Sequence, residues 1–328
     1  MLFPFLSFSQ DFVESKISGS EINEIYTSVY NAKNKKEKTA LTELLAEKFI
    51  EKEQYSEAED IYKDLLGANP SKKKRFEYYL KIGDIAVLEK NYALALDYYG
   101  KAKSLYKKNV MVNSKMGDVF LMSNLYNLAE RSFLEVLSVD KNYRYAKKRL
   151  GDTYFQRGLY SKALSYYEQI NNAEDDKELI INMVASYRNI SETDKALALV
   201  REYLSKNNAA EIFFLSGLLH SDKKNYDLAE EDFLMSIKLD ENNFTPSIYL
   251  ASIYYDAGKY KQAKFYADKA YLLNSSYAAT DLLNAKISYK MKRIYDARRY
   301  AHNAFIKAKT PFMKERAQQL IAYLQEIK

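Results

Sequence analysis

The strongest constraint on the fold is a pattern that recurs about every 34 residues, with its clearest copy at residues 144–171. Gly151 on a first predicted helix and Ala163 on a second are the small residues of this copy. Tyr154 and Tyr167 follow them three and four positions later, so each lies on the same helical face as its small residue. Two antiparallel helices need small side chains where their backbones approach most closely. The copy therefore predicts a helix–turn–helix unit.

The small residues keep the same spacing along most of the chain. Successive intervals on the first helix are 33, 34 or 37 residues, and the intervals on the second helix are identical. Two marks held in phase over eight copies indicate a repeat array and not a coincidence. The first-helix positions are Ala46, Gly83, Gly117, Gly151, Val184, Gly217, Ala251 and Ala285, and the second-helix positions are Ala58, Ala95, Ala129, Ala163, Ala196, Ala229, Ala263 and Ala297.

The pattern resembles the tetratricopeptide repeat (TPR), a helix–turn–helix unit of about 34 residues. The resemblance implies an all-α fold, a right-handed α-solenoid (superhelix) of stacked units. We predict eight repeats over residues 39–309, with a capping helix and linker at 10–38 and a second capping helix at 310–328, because a solenoid needs its end faces covered. The chain departs from the family pattern in having no tryptophan, and its fifth copy has Val184 in the small position.

Local signals set some of the element boundaries. Two basic runs, at residues 33–38 and 71–75, are predicted to be solvated connections between helices. A nucleic-acid patch is the less favoured interpretation of the first run. Thr310 and Pro311 predict the N-cap and first residue of the last helix.

The first nine residues are apolar and suggest a targeting segment. Ser7 and Ser9 precede Gln10 in the small-x-small arrangement that a signal peptidase needs. We expect residues 1–9 to be a signal-peptide remnant with its true start upstream of Met1, which would place the protein outside the cytoplasm, in the periplasm. The alternative is an apolar tail packed on the first helix pair of a cytoplasmic protein. No apolar run elsewhere approaches the length of a membrane-spanning helix.

Composition argues against catalysis. The chain has no cysteine and only two histidines, His220 and His302. His220 falls where other copies have an aromatic residue, so we expect a core imidazole. Glycine-rich phosphate loops and hydrolase or metalloprotease motifs are missing from the sequence. We expect neither enzymatic activity nor a cofactor or metal site. The net charge of +6 is mild and dispersed, and nucleic acid is not an expected partner.

The resemblance directs attention to the first helices, which in this family line the concave groove that receives partner segments. A mixed-charge groove that holds a polar or basic segment is one interpretation; surface ion pairs of small energetic weight are the favoured one. The family's clamp for a C-terminal carboxylate is not reproduced, because aspartates occupy its asparagine positions. The charged candidates are Asp84, Asp118 and Asp152, preceded by Lys81, Lys115 and Arg149.

Later copies place apolar side chains at the equivalent groove positions. An apolar groove would accept a partner helix or an extended peptide, whereas tighter packing between repeats would cover the same residues. The two interpretations are equally weighted. The apolar candidates are Phe214, Leu218, Ile248, Tyr255, Leu282 and Tyr289.

These observations together predict a non-enzymatic scaffold or adaptor for one or more proteins or peptides. The signal-peptide interpretation would place it in a bacterial cell-envelope or motility assembly. The alternatives are a cytoplasmic peptide-binding co-chaperone and a targeting subunit of an enzyme complex. An RNA-binding array is weaker, because most tyrosines fall in the packing register and not on one basic face.

Overall fold

The computed structural model describes residues 20–326, and the predicted signal remnant at residues 1–9 lies outside them. The described residues contain eighteen α-helices, one short 3-10 helix and no β-strand. The chain divides into two compact units, at residues 1–170 and 171–328. The all-α class that the sequence predicts is confirmed.

The first unit holds a single N-terminal helix followed by four helix pairs. Each pair consists of two consecutive helices joined by a short turn. The helices are α1 (Ser20–Tyr30), α2 (Lys35–Glu51), α3 (Tyr55–Gly67), α4 (Lys72–Leu88), α5 (Tyr92–Leu105), α6 (Val110–Met122), α7 (Tyr126–Val139), α8 (Arg144–Gln156) and α9 (Tyr160–Tyr167).

The second unit begins with the 3-10 helix Ala173–Asp175 and contains four further pairs and a last single helix. The pairs again follow chain order. The helices are α10 (Lys177–Asn189), α11 (Thr193–Leu204), α12 (Ala210–Asp222), α13 (Tyr226–Leu239), α14 (Thr245–Asp256), α15 (Tyr260–Leu273), α16 (Ala278–Lys290), α17 (Ile294–Lys307) and α18 (Pro311–Gln325).

The predicted repeat register is confirmed by burial. All sixteen small-residue positions of the eight pairs are buried, and the eight second-helix alanines are fully so. Helices can approach this closely only where no longer side chain intervenes. The rest of the core comes from aliphatic and aromatic residues on the same faces, such as Leu150 and Tyr167, both with 0% exposure.

Four of the small residues are glycines that face an aromatic ring from the second helix of their own pair. A β-carbon built on Gly151 would lie within 2.9 Å of three ring carbons of Tyr167, and one on Gly117 would lie 2.6 Å from Cε1 of Phe133. Carbon atoms in contact normally stay about 3.5–4.0 Å apart. Glycine is therefore required at these positions for space and not for backbone conformation.

The prediction that the two basic runs form connections between helices is wrong, because most of each run lies in a helix. Helix α2 begins at Lys35, and its N-cap Asn34 accepts a hydrogen bond from the Glu37 amide at 2.9 Å. The Glu37 carboxylate in turn accepts from the amide of Lys33, the residue before the N-cap, at 2.8 Å. Helix α4 likewise starts at Lys72 behind the N-cap Ser71. The extra residues of the first interval therefore lengthen α4 instead of forming a loop.

Single helices cover the two ends of the described chain. Helix α1 buries Ile22 in the same core cluster as Leu45. Helix α18 starts at Pro311 behind the predicted N-cap Thr310, whose hydroxyl accepts from the Met313 amide at 3.3 Å. Its Leu324 packs with the alanines of the last pair. Among the described residues, no helix combines the length and apolarity needed to cross a bilayer.

Candidate partner-binding site

The aspartates of the first helices form ion pairs with cations of the following repeat. Lys115 Nζ on α6 lies 2.8 Å from Asp84 Oδ1 on α4, and Arg149 Nε on α8 lies 2.7 Å from Asp118 Oδ1 on α6. Each pair joins residues 31 positions apart in the sequence. The charges therefore connect neighbouring repeats.

Two further contacts complete this ladder of charges. Lys81 Nζ lies 3.0 Å from a carboxylate oxygen of Glu47, which occupies the aspartate position in the first pair. Arg149 also reaches Asp152 on its own helix, with 3.1 Å between Nη1 and Oδ2. Glu47 is absent from the sequence-based candidates, because it lacks the glycine–aspartate signature of the other copies.

Tyrosine hydroxyls from the second helices hold the same carboxylates. The Tyr99 hydroxyl donates to Asp84 at 2.6 Å, and the Tyr167 hydroxyl donates to Asp152 at 2.8 Å. Sequence reasoning missed these donors, although the sequence does contain a signal: each tyrosine follows its Gly–Asp dipeptide by a constant interval. In the sixth copy Phe233 has no hydroxyl, and the aspartate position is leucine.

In the third copy the aspartate accepts a hydrogen bond from a different tyrosine. Its aromatic residue is Phe133, so Asp118 receives the Tyr145 hydroxyl of the next first helix, at 2.5 Å. Burial raises the pKa of Tyr145, and the adjacent Asp118 charge raises it further. The tyrosine therefore stays protonated and able to donate at neutral pH.

Burial also raises the pKa of the Asp152 carboxyl, while the Tyr167 hydroxyl and Arg149 oppose that shift. The carboxylate has no open face for a ligand, since its side chain is only 6% exposed. The three aspartates are occupied by internal donors. Their hydrogen bonds and ion pairs connect the two helices of a repeat and join neighbouring repeats.

A pocket of about 550 Å³ opens between α4 and α6 and includes three of the charged candidates, Lys81, Asp84 and Lys115. Its floor is apolar. Phe76 and Tyr106 meet edge to face with 5.0 Å between ring centroids. Met111 is 49% exposed and Tyr106 38% exposed. The full lining is Lys73, Phe76, Glu77, Leu80, Lys81, Asp84, Tyr106, Asn109, Met111 and Lys115.

The apolar candidates of the second unit do not form one open groove. Leu218 and Leu282 retain only 6% and 8% exposure. Leu218 belongs to the core cluster around Phe233, and Leu282 packs with Ala317 of α18. Both are core residues, so at these two positions the packing interpretation holds and the groove assignment is wrong.

The other apolar candidates are half-buried. Phe214 packs against Phe233 and Tyr249, with ring centroids 5.8 and 5.5 Å away. Tyr255 lies beside Tyr260. The last two candidates are Ile248 on α14 and Tyr289, whose hydroxyl is 2.7 Å from that of Tyr323 on α18.

The described residues contain no cluster of three potential metal ligands. His220 is half-buried on α12, and its Nε2 lies 3.8 Å from Asp232 Oδ2. His302 lines a smaller cavity of about 280 Å³ with Arg298, whose guanidinium donates to the Leu324 carbonyl oxygen. The two histidines lie on different helices, α12 and α17.

Two family models described as tetratricopeptide repeat match the chain. One matches residues 44–109 and 114–176, and the other matches residues 210–243. A comparison with curated proteins gives no match.

Solved structures with the same architecture include yeast Tom70, with a TM-score of 0.53 and 18% identity, over 90% of this chain and 65% of that one. A chain of the APC/C hetero-tetramer Cut9–Hcn1 gives a TM-score of 0.55 at 12% identity, over 93% of this chain and 59% of that one. MamA gives 0.47 at 21% identity, over 52% and 93%. This chain thus spans about two thirds or less of the first two. At these identities the likeness concerns the fold alone, and the likeness to Tom70 and Cut9–Hcn1 agrees with an α-solenoid.

The matched segments extend over both units and coincide with the buried small-residue register. Eighteen helices are the number expected for about eight repeats with a single helix at each end. The chain is a tetratricopeptide repeat protein over the segments that these models match.

Proposed function

We propose that this protein is a non-enzymatic scaffold or adaptor that binds segments of partner proteins on its first helices. Tetratricopeptide repeat proteins are generally interaction scaffolds. The observation that carries the proposal here is the pocket between α4 and α6, because its apolar floor is open to solvent. Pockets of 300–1,000 Å³ with an apolar lining and a few polar groups are typical of binding sites.

The contacts around the pocket indicate which part of it a partner would use. Asp84 and Lys115 already pair with each other, and Lys81 pairs with Glu47. The floor, in contrast, leaves Tyr106 and Met111 partly uncovered. An aliphatic or aromatic side chain inserted there would contribute about 1.5–3 kcal/mol of binding free energy. A single anchor of this kind binds weakly, so flanking residues of the partner must add contacts.

The cellular setting is also part of the proposal. The apolar segment 1–9 with Ser7 and Ser9 supports a periplasmic place in a bacterial cell-envelope or motility assembly. A cytoplasmic co-chaperone or a targeting subunit of an enzyme complex is the alternative. Sequencing the N-terminus of the protein purified from its own cells separates them: a start at Gln10 supports the envelope, and a retained Met1 supports the cytoplasm.

Site-specific photo-crosslinking tests the binding site. A benzophenone amino acid replaces Met111 in the pocket, and a matched variant carries it at Leu128 on α7, which is similarly exposed at 44%. Irradiation in cells that express the protein naturally should give a discrete crosslinked species from position 111 only. Mass spectrometry then identifies the partner.

Equal crosslinking from both positions would contradict the proposal, and so would a partner captured only from position 128. Met111→Asp, which places a charge on the apolar floor, serves as the second measurement. It should abolish co-purification of the identified partner while circular dichroism shows unchanged helix content.

A further inference from the structure

Four lysines occupy the same place in the first four repeats. Lys36, Lys73, Lys107 and Lys141 each stand ten residues before the small residue of their first helix. All four are exposed. We call them the lysine column. The series stops there, since the equivalent residues of the next four copies are Glu174, Asn207, Glu241 and Ser275.

The column differs from the charge ladder in having no carboxylate partner within the described part of the chain. The ladder cations Lys81, Lys115 and Arg149 each contact a carboxylate within 3.1 Å. Within residues 20–326, by contrast, no carboxylate lies within ion-pair distance of any lysine of the column. These four charges are therefore available to a ligand.

At three of the four lysines the local helix electrostatics are unfavourable to a cation. Lys73 lies in the first turn of α4, and Lys107 and Lys141 lie just before α6 and α8. These three helices have no acidic residue in the first turn. The N-terminus of a helix carries a partial positive charge, so cations there are unfavourable and anions favourable. An anionic ligand would interact with both the ammonium groups and the helix ends.

The column borders the apolar pocket. Lys73 is part of the pocket lining. The neighbouring Lys72 places its Nζ 4.8 Å from the ring centroid of Tyr106, which forms the floor together with Phe76. Unpaired cations and an exposed apolar surface are thus adjacent on one side of α4 and α6.

We propose that the partner segment is acidic and carries one apolar anchor: the anchor fills the pocket between α4 and α6, and carboxylates before and after it pair with the lysine column. This inference rests on the proposed function and defines the chemistry of its partner. Adjacent helices pack about 8–10 Å apart, and an extended chain advances about 3.3 Å per residue. A segment crossing successive repeats therefore needs an acidic residue at about every third position.

The lining of the pocket favours a peptide over a nucleic acid. The floor formed by Phe76, Tyr106 and Met111 accepts an apolar side chain, and a nucleic acid has no aliphatic anchor to place there. A peptide can place an uncharged anchor on this floor and its own carboxylates at the column.

Fluorescence anisotropy with the full chain tests the proposal. The probe is a labelled twelve-residue peptide with glutamate at every third position and one central leucine, and two control probes replace the glutamates by lysine or the leucine by glycine. The acidic probe should bind at least tenfold more tightly than the lysine probe, and loss of the leucine should weaken binding severalfold. Raising the salt concentration should weaken binding of the acidic probe.

Paired charge reversals locate the site. Lys73→Glu with Lys107→Glu should weaken binding of the acidic probe at least tenfold. The matched control, Lys238→Glu with Lys261→Glu on exposed sites of α13 and α15, changes the net charge equally and should leave the affinity within twofold. Circular dichroism of both variants checks that the helices are intact.

Equal loss in the two charge-reversal variants would overturn the proposal, because binding would then depend on net charge alone. Tighter binding of single-stranded RNA or phosphatidylserine vesicles than of the peptide, with the same dependence on Lys73 and Lys107, would overturn it as well. Failure of the acidic probe combined with a specific crosslink from position 111 would reject the acidic chemistry and keep the scaffold function.

Discussion

Replacing Gly151 by alanine tests the contact that sets the spacing within a repeat. The added β-carbon would lie within 2.9 Å of three ring carbons of Tyr167, so the ring must move. Overpacking of this kind costs about 1–3 kcal/mol. Movement of the ring also breaks its hydroxyl bond to the buried Asp152 carboxylate, which costs about 1.5–3 kcal/mol. Because alanine has a higher helix propensity than glycine, the substitution also stabilises the folded state by about 1 kcal/mol. The net loss of unfolding free energy should be about 1.5–5 kcal/mol.

The first repeat supports this account. It pairs Ala46 with Tyr62 at the equivalent positions, and both are buried. Among the described residues, the Tyr62 hydroxyl has no hydrogen-bond partner, in contrast to those of Tyr99 and Tyr167. An alanine is thus compatible with a tyrosine ring where the ring's hydroxyl is not held by a carboxylate.

Urea denaturation followed by circular dichroism measures the change. The matched control is Gly100→Ala in α5, where a β-carbon would meet nothing within 4 Å. That substitution should stabilise the protein by about 0.5–1 kcal/mol, because glycine disfavours the helix interior. Hydrogen exchange of α8 and α9 should report the loss locally, since each repeat contacts only its neighbours.

The background Tyr167→Ala provides the decisive comparison. Without the ring, Gly151→Ala should become neutral or stabilising by up to about 1 kcal/mol. The chain itself uses this combination in the seventh repeat, where Ala251 and Ala267 are both fully buried. An equal loss from Gly151→Ala in both backgrounds would refute the reasoning, and so would no loss in the presence of Tyr167.

Two further predictions concern buried carboxylates. Lys307→Met should cost about 3–5 kcal/mol in urea denaturation, because it leaves Asp281, fully buried and 2.7 Å from Lys307 Nζ, without its cation. The double variant with Asp281→Leu should recover most of that loss, and a double variant as unstable as the single one would contradict the prediction. Burial raises the pKa of Asp152 in the folded state, so its protonated form is favoured there. The stability of the wild type relative to Asp152→Asn should therefore be greatest below about pH 4 and should fall as the pH rises through the raised pKa; urea midpoints from pH 4 to 7 that show the opposite trend would reject the assignment.

The repeat register could be read from the sequence because it depends on side-chain volume at fixed positions. Gly151 and Ala163 are small for a reason that acts within one helix pair, and the same reason applies to every copy. Even Val184, which departs from the pattern, is fully buried at its expected place. A local steric requirement of this kind leaves a mark in the sequence wherever it acts.

Contacts between repeats could not be read in the same way. Lys115 has Asp118 one turn away on its own helix, yet its ion pair is with Asp84, 31 residues earlier. Both partners are compatible with the sequence, and only the stacking of α4 beside α6 decides between them. Tyr145 reaches Asp118 for the same reason.

Two of the apolar candidates, Leu218 and Leu282, are core residues because the environment of their positions differs from that in the earlier repeats. Leu218 corresponds to the aspartate position of earlier repeats, but its partner ring is Phe233 and not tyrosine. The tyrosine of the next first helix, which holds Asp118 in the third copy, is also replaced here, by Thr245. With neither tyrosine present to hold a carboxylate, an apolar side chain completes the core at that position. Leu282 is covered for another reason, since α18 packs over it.

Two lysine positions of the repeat differ in whether their charge is paired within the protein. A cation two residues before the small residue, such as Lys81 or Lys115, is neutralised by the preceding repeat. A lysine ten residues before it, such as Lys73, has no carboxylate within reach among residues 20–326 and lies at a helix N-terminus that would favour an anion. Both kinds of lysine contribute equally to the net charge, but they occupy different positions in the repeat. Because only the second kind stays free after the repeats have stacked, we expect a partner to recognise the lysine column and not the charge ladder.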